Sequence, residues 1–410
     1  MISPYRTFLL VAFLDQLSIF FILPYLDIHA KQLGFNYFQI GLIGAIFPAC
    51  QMISSPIVGS LSDVRGRRPI FLACLIICSI VYFCLGITSS LLVFIILRIV
   101  TGTFKHTLTL TRAMAPDYID DKNDVTVLYG KLKSLAGIGL ALGPILSGYI
   151  MEAFPENGFN IMCTILSGVI ILNAALINAL PDIAKKKYEE SEPALEATKL
   201  LDAIVKTFNQ TIKNFYNIDW TIFGDIFLYL FLMSVSMGLY FNNFRLFLNV
   251  KYEASPSVTG YISSIQGIIT SITNEKISFF NKLYARDLDY SLRIFHVFLV
   301  MVLALIGLAT VPTIPFYIAI LIPTSIYFAM GRIVALIVVS NKSVSSNRGT
   351  LLGAFSSVSS LGGIIAPIIG GVINQYLSVT YVFYISAMIA SIGLVLSYRA
   401  RAISLQEKTK

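Results

Sequence analysis

Long apolar runs alternate with short polar connections along almost the whole chain, and one longer polar stretch lies near the middle. Each run is close to the roughly 20 apolar residues that an α-helix needs to cross a ~30 Å hydrocarbon core. No run shows the period-two alternation of barrel strands. We therefore predict an all-α membrane protein. Its twelve transmembrane helices are expected over residues 7–26, 38–58, 70–87, 91–114, 127–150, 159–180, 220–241, 258–277, 292–311, 314–339, 350–373 and 379–398.

The polar stretch over residues 181–219 divides these runs into two sets of six. After a basic and then an acidic segment, its apolar residues recur at helical spacing, which favours an amphipathic helix on the inner leaflet. We predict an N-terminal six-helix bundle over residues 1–180, a cytoplasmic linker over 181–219 and a C-terminal six-helix bundle over 220–410.

The fifth and eleventh runs match each other without a gap at an offset of 223 residues. The matching positions are Gly130 with Gly353, Gly139 with Gly362, Pro144 with Pro367, and Gly148 with Gly371. This repeat predicts two pseudo-symmetric bundles, an arrangement found in transporters built from parallel repeats.

Composition agrees with a membrane protein, because 56% of the 410 residues are hydrophobic and only 13% are charged. A soluble domain is nearer to a quarter charged. The net charge of +8 could indicate a nucleic-acid partner, but the basic residues lie in short connections between apolar runs. With both termini cytoplasmic, only Lys31 and Lys251 fall in outer loops and 24 of the 30 Lys and Arg lie on the inner side. The positive-inside rule therefore predicts cytoplasmic termini, a lipid bilayer as surroundings and no nucleic-acid partner.

Charged residues inside the first and fourth runs are candidate functional residues, because a charge in the membrane is costly and needs a cavity or a partner. Asp15 lies about 12 Å from the cytoplasmic end of its helix, and Lys105 lies about 20 Å from the outer end of the fourth. These depths coincide, so we predict an Asp15–Lys105 ion pair, with Arg98 as the next candidate partner for Asp15. The spacing of seven predicts that Arg98, Lys105 and Arg112 share one helix face. His106 is either a proton relay or a packed residue.

The second half offers a possible counterpart to this pair. Asp225 in the seventh run and Arg332 in the tenth both lie near the cytoplasmic side. We expect them to face the same cavity as the charges of the first half.

Two motifs of small and charged residues stand out. The first is the polar turn that begins at Gly59 and contains Asp63, Arg65, Gly66, Arg67 and Arg68. We expect Gly59 to end one helix, Gly66 to form the turn, Asp63 to accept bonds from a helix start and the three arginines to anchor at the inner surface. The second motif, in the fifth run, consists of Gly139, Gly143, Pro144 and Gly148. It predicts close helix packing and a kink, with a role in coupling left open beside a purely structural one.

The turn resembles the Gly-x-x-x-Asp-x-x-Gly-Arg-Lys/Arg loop of the major facilitator superfamily. Leu14-Asp15, Arg98 with Gly102, and Gly143-Pro144 resemble its tetracycline-resistance-like branch. The resemblance implies that Asp63 helps to close the cytoplasmic side and that the first, fourth, seventh and tenth helices line a central cavity. It also implies that Arg98 and the Gly143-Pro144 motif serve proton-coupled antiport. The small residues that follow Gly102 in the family are replaced here by Phe104-Lys105-His106-Thr107, and the mirrored loop at 279–292 lacks the pattern.

We expect a monomeric secondary active transporter that moves a small organic solute by alternating access, coupled to protons through Asp15. The cationic fourth helix favours an anionic or zwitterionic solute. The alternatives are a facilitative uniporter and a non-transporting receptor or scaffold on the same fold. The sequence shows no nucleophile motif and no metal-ligand spacing, so we expect neither an enzyme nor a bound cofactor or metal.

Overall fold

The computed structural model describes residues 4–115, 124–180, 220–284, 287, 289–342 and 348–409, and its regular elements there are all helices. The helices of the first half are α1 (Pro4–Ile22), a 3-10 turn (Leu23–Tyr25), α2 (Leu26–Gln32), α3 (Tyr37–Arg65), α4 (Arg67–Ile87), α5 (Leu91–Phe104), α6 (Thr107–Met114), α7 (Asp124–Ala153) and α8 (Gly158–Ala179). Those of the second half are α9 (Trp220–Tyr252), α10 (Pro256–Glu275), α11 (Ile277–Leu283), α12 (Ser291–Thr310), α13 (Ile314–Lys342), α14 (Arg348–Tyr376) and α15 (Val379–Thr409).

The predicted all-α fold with twelve long helical segments is confirmed. Eleven segments of the described chain are long and apolar enough to cross a bilayer. The twelfth, α10, has a more polar composition, and polar side chains such as Thr259, Ser263 and Gln266 are buried in the protein. The predicted linker at 181–219 lies outside the described residues.

Two helix boundaries differ from the prediction. The second helix does not end near residue 58 but continues to Arg65. The fourth apolar run is not one helix, because it breaks into α5 and α6 at Lys105 and His106. Hydropathy could not reveal this break, since the residues on both sides of it are apolar enough to continue the span.

The chain forms two compact units. The first contains α1, α2, α4–α8, α3 from Ile46 onward and the start of α10 (Ser255–Ser264). The second contains the start of α3 (Asn36–Ala45), α9, the rest of α10 and α11–α15.

The predicted repeat is visible in how α7 and α14 pack inside their own units. A Cβ atom added to Gly139 would lie 2.9 Å from the backbone nitrogen of Leu17 in α1. One added to Gly362 would lie 3.2 Å from the nitrogen of Val235 in α9. Equivalent glycines therefore bring α7 onto α1 and α14 onto α9, as small residues do in membrane helix pairs.

The far ends of α7 and α14 repeat a second contact. A Cβ on Gly148 would lie 2.8 Å from the carbonyl oxygen of Pro256 at the start of α10. One on Gly371 would lie 2.7 Å from the carbonyl oxygen of Tyr37 at the start of α3. The offset of 223 residues thus corresponds to a real structural equivalence.

Candidate functional site

The break in the fourth span places two candidate residues on irregular backbone. Lys105 has φ −77° and ψ 64°, and His106 has φ −102° and ψ 17°. The amide of His106 donates to the carbonyl of Phe104 at 2.8 Å, and the side chain of Gln51 donates to the carbonyl of Lys105 at 2.9 Å. Such backbone is tolerated at membrane depth only where it is buried in protein or lines a cavity.

Local sequence helps to explain why α5 stops. The hydroxyls of Thr101 and Thr103 donate to the carbonyls of Leu97 and Ile99, four residues back, at 2.7 and 2.9 Å. Such back-bonding competes with the helical ladder and bends helices.

The predicted pairing of Asp15 with Lys105 is confirmed. Lys105 Nζ donates to Asp15 Oδ1 at 2.8 Å, and the two side chains are 5% and 2% exposed. The second carboxylate oxygen, Oδ2, is buried and has no hydrogen-bond partner. A buried pair of this kind retains one oxygen with unused capacity to accept a proton.

His106 is a buried, hydrogen-bonded residue next to this pair. Its Nε2 lies 2.7 Å from Ser54 Oγ, and the Ser54 hydroxyl donates to the carbonyl of Cys50 at 2.8 Å. The tautomer of His106 sets which of these two atoms donates. The geometry gives His106 a packing contact with α3, and a relay role remains a prediction.

Arg98 lies on α5 and does not contact Asp15. It is 7% exposed, and its guanidinium carbon lies 5.3 Å from the centre of the Phe47 ring. The single face predicted for Arg98, Lys105 and Arg112 is wrong, because the helix breaks between them. Arg112, beyond the break, is exposed.

The predicted counterpart in the second half is not buried. Asp225 and Arg332 are both exposed. Gly139 of α7 packs against Gln16 of α1, and the equivalent Gly362 of α14 packs against Ser234 of α9. Gln16 and Ser234 are therefore equivalent positions, and the residue equivalent to Asp15 is Met233. A Cβ on Gly331 of α13 would lie 2.6 Å from the Met233 sulfur. The second unit therefore has an apolar contact where the first has its ion pair, and α13 continues there without a break.

The basic turn between α3 and α4 consists of Gly66 alone, at φ 92°. Gly59 does not end a helix as expected, since it lies inside α3 and a Cβ there would meet nothing within 4 Å. The side chain of Asp63 lies outside the described part. Arg65 is exposed, and its anchoring at the inner surface stays a prediction.

The next two arginines bind protein carbonyls. Arg67 donates to the carbonyl of Ala113 at 2.6 Å, and Arg68 donates to the carbonyl of Asn178. These carbonyls lie at the C-terminal ends of α6 and α8, which carry unsatisfied acceptors and partial negative charge. Arg67 and Arg68 thus fasten helix ends in the first unit, a role that differs from the predicted surface anchoring.

The loop before α12 keeps part of the pattern that we expected it to lack. Asp287 accepts hydrogen bonds from the amides of Leu292 and Arg293 at 3.1 and 3.0 Å, and Arg293 Nε lies 3.4 Å from Asp287 Oδ2. Tyr290, three residues after Asp287, has φ 64°. This spacing equals that from Asp63 to Gly66, so the mirrored loop has an acid and a left-handed residue in the same places. The sequence concealed it because the left-handed position is a tyrosine.

The packing role of the fifth-run motif is observed directly. A Cβ on Gly143 would lie 2.8 Å from the carbonyl carbon of Phe20 in α1, and Pro144 lies within the continuous helix α7. Within the described ranges, no group of three or more His, Cys, Asp or Glu side chains is placed to hold a metal ion.

Comparison with known proteins identifies the family. The family model described as Major Facilitator Superfamily matches residues 8–341. The quinolone resistance protein NorA of Staphylococcus aureus is 22% identical over 408 residues, which cover 97% of this chain and 96% of that protein. The class H tetracycline resistance protein of Pasteurella multocida is 29% identical over 174 residues, or 41% of this chain and 42% of that protein. The crystal structure of the human organic anion transporter MFSD10 (TETRAN) aligns with a TM-score of 0.61 and 19% identity, covering 96% of this chain and 100% of that one.

Proposed function

This chain belongs to the Major Facilitator Superfamily, and we propose that it is a proton-coupled secondary transporter that moves a small organic solute by alternating access. The observation that carries the proposal is the buried Asp15–Lys105 pair at the break of the fourth span. A structural helix bundle gains little from a buried ion pair, because desolvation offsets most of the attraction. A pair held on irregular backbone is therefore better explained by function.

Asp15 would be the group that takes up and releases the proton. The unpartnered Oδ2 is the atom to which a proton can add without first breaking the bond from Lys105 to Oδ1. Protonation leaves the Lys105 charge uncompensated, and this change in charge would bias the transporter between its two access states.

The relatives support a small organic solute, since two of them are named for resistance to quinolones and tetracycline. We propose that the protein exports its solute in exchange for protons. Both termini and the linker at 181–219 would lie on the cytoplasmic side. The two six-helix bundles would span residues 1–180 and 220–410. The cations of the fourth span favour an anionic or zwitterionic solute. The run from Phe104 to Leu108, followed by Arg112-Ala113, also resembles an animal member of the superfamily, major facilitator superfamily domain-containing protein 9.

The test is solute flux in proteoliposomes with and without a pH gradient. A thermal-shift screen of the purified protein would first provide a solute that stabilises it. We expect the gradient to accelerate flux of that solute in the wild type, and we expect Asp15→Asn to remove the acceleration. Glu156→Gln, the same kind of change at an exposed position, is the matched control.

The same experiment distinguishes the alternatives. If the wild-type flux is the same with and without the pH gradient, the protein is a facilitative uniporter. If the wild type shows no flux, a receptor or scaffold is favoured. Gradient-driven flux in Asp15→Asn would exclude Asp15 as the coupling residue.

A further inference from the structure

Arg98 is a buried cation that forms no ion pair with any residue that the structure describes. Its side chain is 7% exposed, and its Nε atom has no hydrogen-bond partner. The guanidinium carbon lies 5.3 Å from the centre of the Phe47 ring, which is a cation–π contact. Guanidinium keeps its proton in proteins and carries five N–H donors, so the charge cannot be relieved by deprotonation.

The charged groups near Arg98 act on it only through space. Asp27 and Tyr82 are close enough to act on it electrostatically, but neither forms a hydrogen bond with it. Lys105 lies roughly 10 Å further along the chain at 1.5 Å per residue, and its charge is already matched by Asp15. Unlike Lys105, Arg98 therefore has no directly bonded carboxylate among the described residues.

Burying a cation without a partner is strongly unfavourable, and buried charges in membrane segments face a partner or a pathway. The first unit supplies a carboxylate to Lys105 but leaves Arg98 with an aromatic face. The partner that fits a single unmatched guanidinium is a monoanion, and the fork of N–H groups matches the two oxygens of a planar carboxylate.

We propose that Arg98 binds the carboxylate of the transported solute, which is an organic monocarboxylate. Phe47 is half-buried, so part of its ring is free to contact the apolar body of such a solute. This inference rests on the proposed transport function, but it assigns the solute to Arg98 and leaves the proton at Asp15. It gives Arg98 a role other than the coupling role implied by the family resemblance.

The experiment measures binding of benzoate to the purified wild type and to the variants Arg98→Met, Arg98→Lys and Asp15→Asn. Thermal shift and equilibrium titration are the readouts. Benzamide, a neutral molecule of nearly the same shape, is the ligand control. Arg399→Gln removes an exposed arginine and is the variant control.

We expect benzoate, but not benzamide, to stabilise the wild type and Arg399→Gln. Arg98→Met should be at least as stable as the wild type without ligand, because it removes an unmatched buried charge, and it should lose the benzoate shift. Arg98→Lys keeps the charge without the fork, and we expect its affinity for benzoate to fall about ten-fold. Asp15→Asn should still bind benzoate, even where it has lost coupling to protons.

Several results would overturn the inference. They are an unshifted wild type, equal shifts by benzoate and benzamide, or wild-type benzoate affinity in Arg98→Lys. If Arg98→Met fails to fold, Arg98 is structural and the inference is also wrong. Loss of proton coupling in Asp15→Asn does not depend on any of these results, so failure of this inference and failure of the proposed function can be told apart.

Discussion

A double-mutant cycle can measure the interaction free energy between Asp15 and Lys105. The pair is direct, at 2.8 Å, and its side chains are 5% and 2% exposed. Removing one partner of such a pair typically costs about 3–5 kcal/mol, because the other charge is left buried. We expect Asp15→Asn near the lower end, about 3 kcal/mol, since the amide oxygen can still accept a bond from Lys105. We expect Lys105→Met near the upper end, about 5 kcal/mol, since it leaves neither oxygen of Asp15 with a partner.

The double variant Asp15→Asn with Lys105→Met removes both charges. Removing both charges of a buried pair avoids the cost of a lone charge, but the Asn amide is left without its Lys105 partner. We therefore expect the double variant to be about 1–3 kcal/mol less stable than the wild type. The coupling energy should then exceed the roughly 0.5–3 kcal/mol found for most interacting pairs. Unfolding in mixed micelles with increasing denaturing detergent would provide these free energies, and thermal scans would check their order.

Two readouts keep this prediction falsifiable. If the losses of the two single variants simply add in the double variant, the contact contributes no interaction energy and the reasoning is wrong. If the double variant regains stability and also shows gradient-driven flux, the pair is structural and the proton is carried elsewhere. Restored stability without restored coupling is the expected combination.

Three further predictions test the packing, the turn and the topology. Gly143→Ala should lower the free energy of unfolding by about 1–3 kcal/mol, because the new methyl group would lie 2.8 Å from the backbone of α1. Gly130→Ala, where a Cβ atom would meet nothing within 4 Å, should leave the melting temperature unchanged in the same thermal scan. Gly66→Ala should lower the free energy of unfolding by about 1–2 kcal/mol, because alanine is strained at a φ of 92°. Gly59→Ala, inside α3, should not destabilise the protein. A larger loss of stability in Gly59→Ala than in Gly66→Ala would refute this account of the turn. A cysteine introduced as Glu192→Cys in a cysteine-free background should react with an impermeant thiol reagent only after permeabilisation, and labelling of intact cells would place the linker outside.

The ion pair was predictable because depth in a membrane can be calculated from sequence. Counting residues from the ends of two apolar runs put Asp15 and Lys105 at one level, and the structure joins them at 2.8 Å. The break beside Lys105 was not predictable in the same way. It is accompanied by a hydrogen bond from Gln51 on another helix and by two threonine hydroxyls that bond back to their own helix. Hydropathy averages over such contacts.

The basic turn illustrates the same limit. The pattern identified Gly66 as the turn correctly, because a left-handed backbone favours glycine. It could not indicate that Arg67 and Arg68 would reach carbonyls at the ends of two other helices. It also concealed Tyr290, since a bulky residue at positive φ is uncommon and no sequence rule anticipates one.

The two halves repeat their scaffold but not their chemistry. Glu152 near the end of α7 accepts a hydrogen bond from the amide of Ser257 at 3.0 Å, and Gln375, at the equivalent position in α14, accepts one from the amide of Tyr37 at 3.0 Å. The side chain at this position is acidic in one half and neutral in the other, yet both reach the start of a neighbouring helix.

Where the first half buries Asp15 against Lys105, the second packs Met233 against Gly331. A repeated scaffold requires the same small residues in both halves, because backbone contacts tolerate no added side chain. Charge is under no such requirement, and each buried charge is costly, so it is expected only where it is used. The second unit does bury an ion pair, Asp287 with Arg293, but it lies in the loop before α12 and not at the position equivalent to Asp15. This difference supports our proposal that Asp15 and Arg98, in the first unit, handle the proton and the solute.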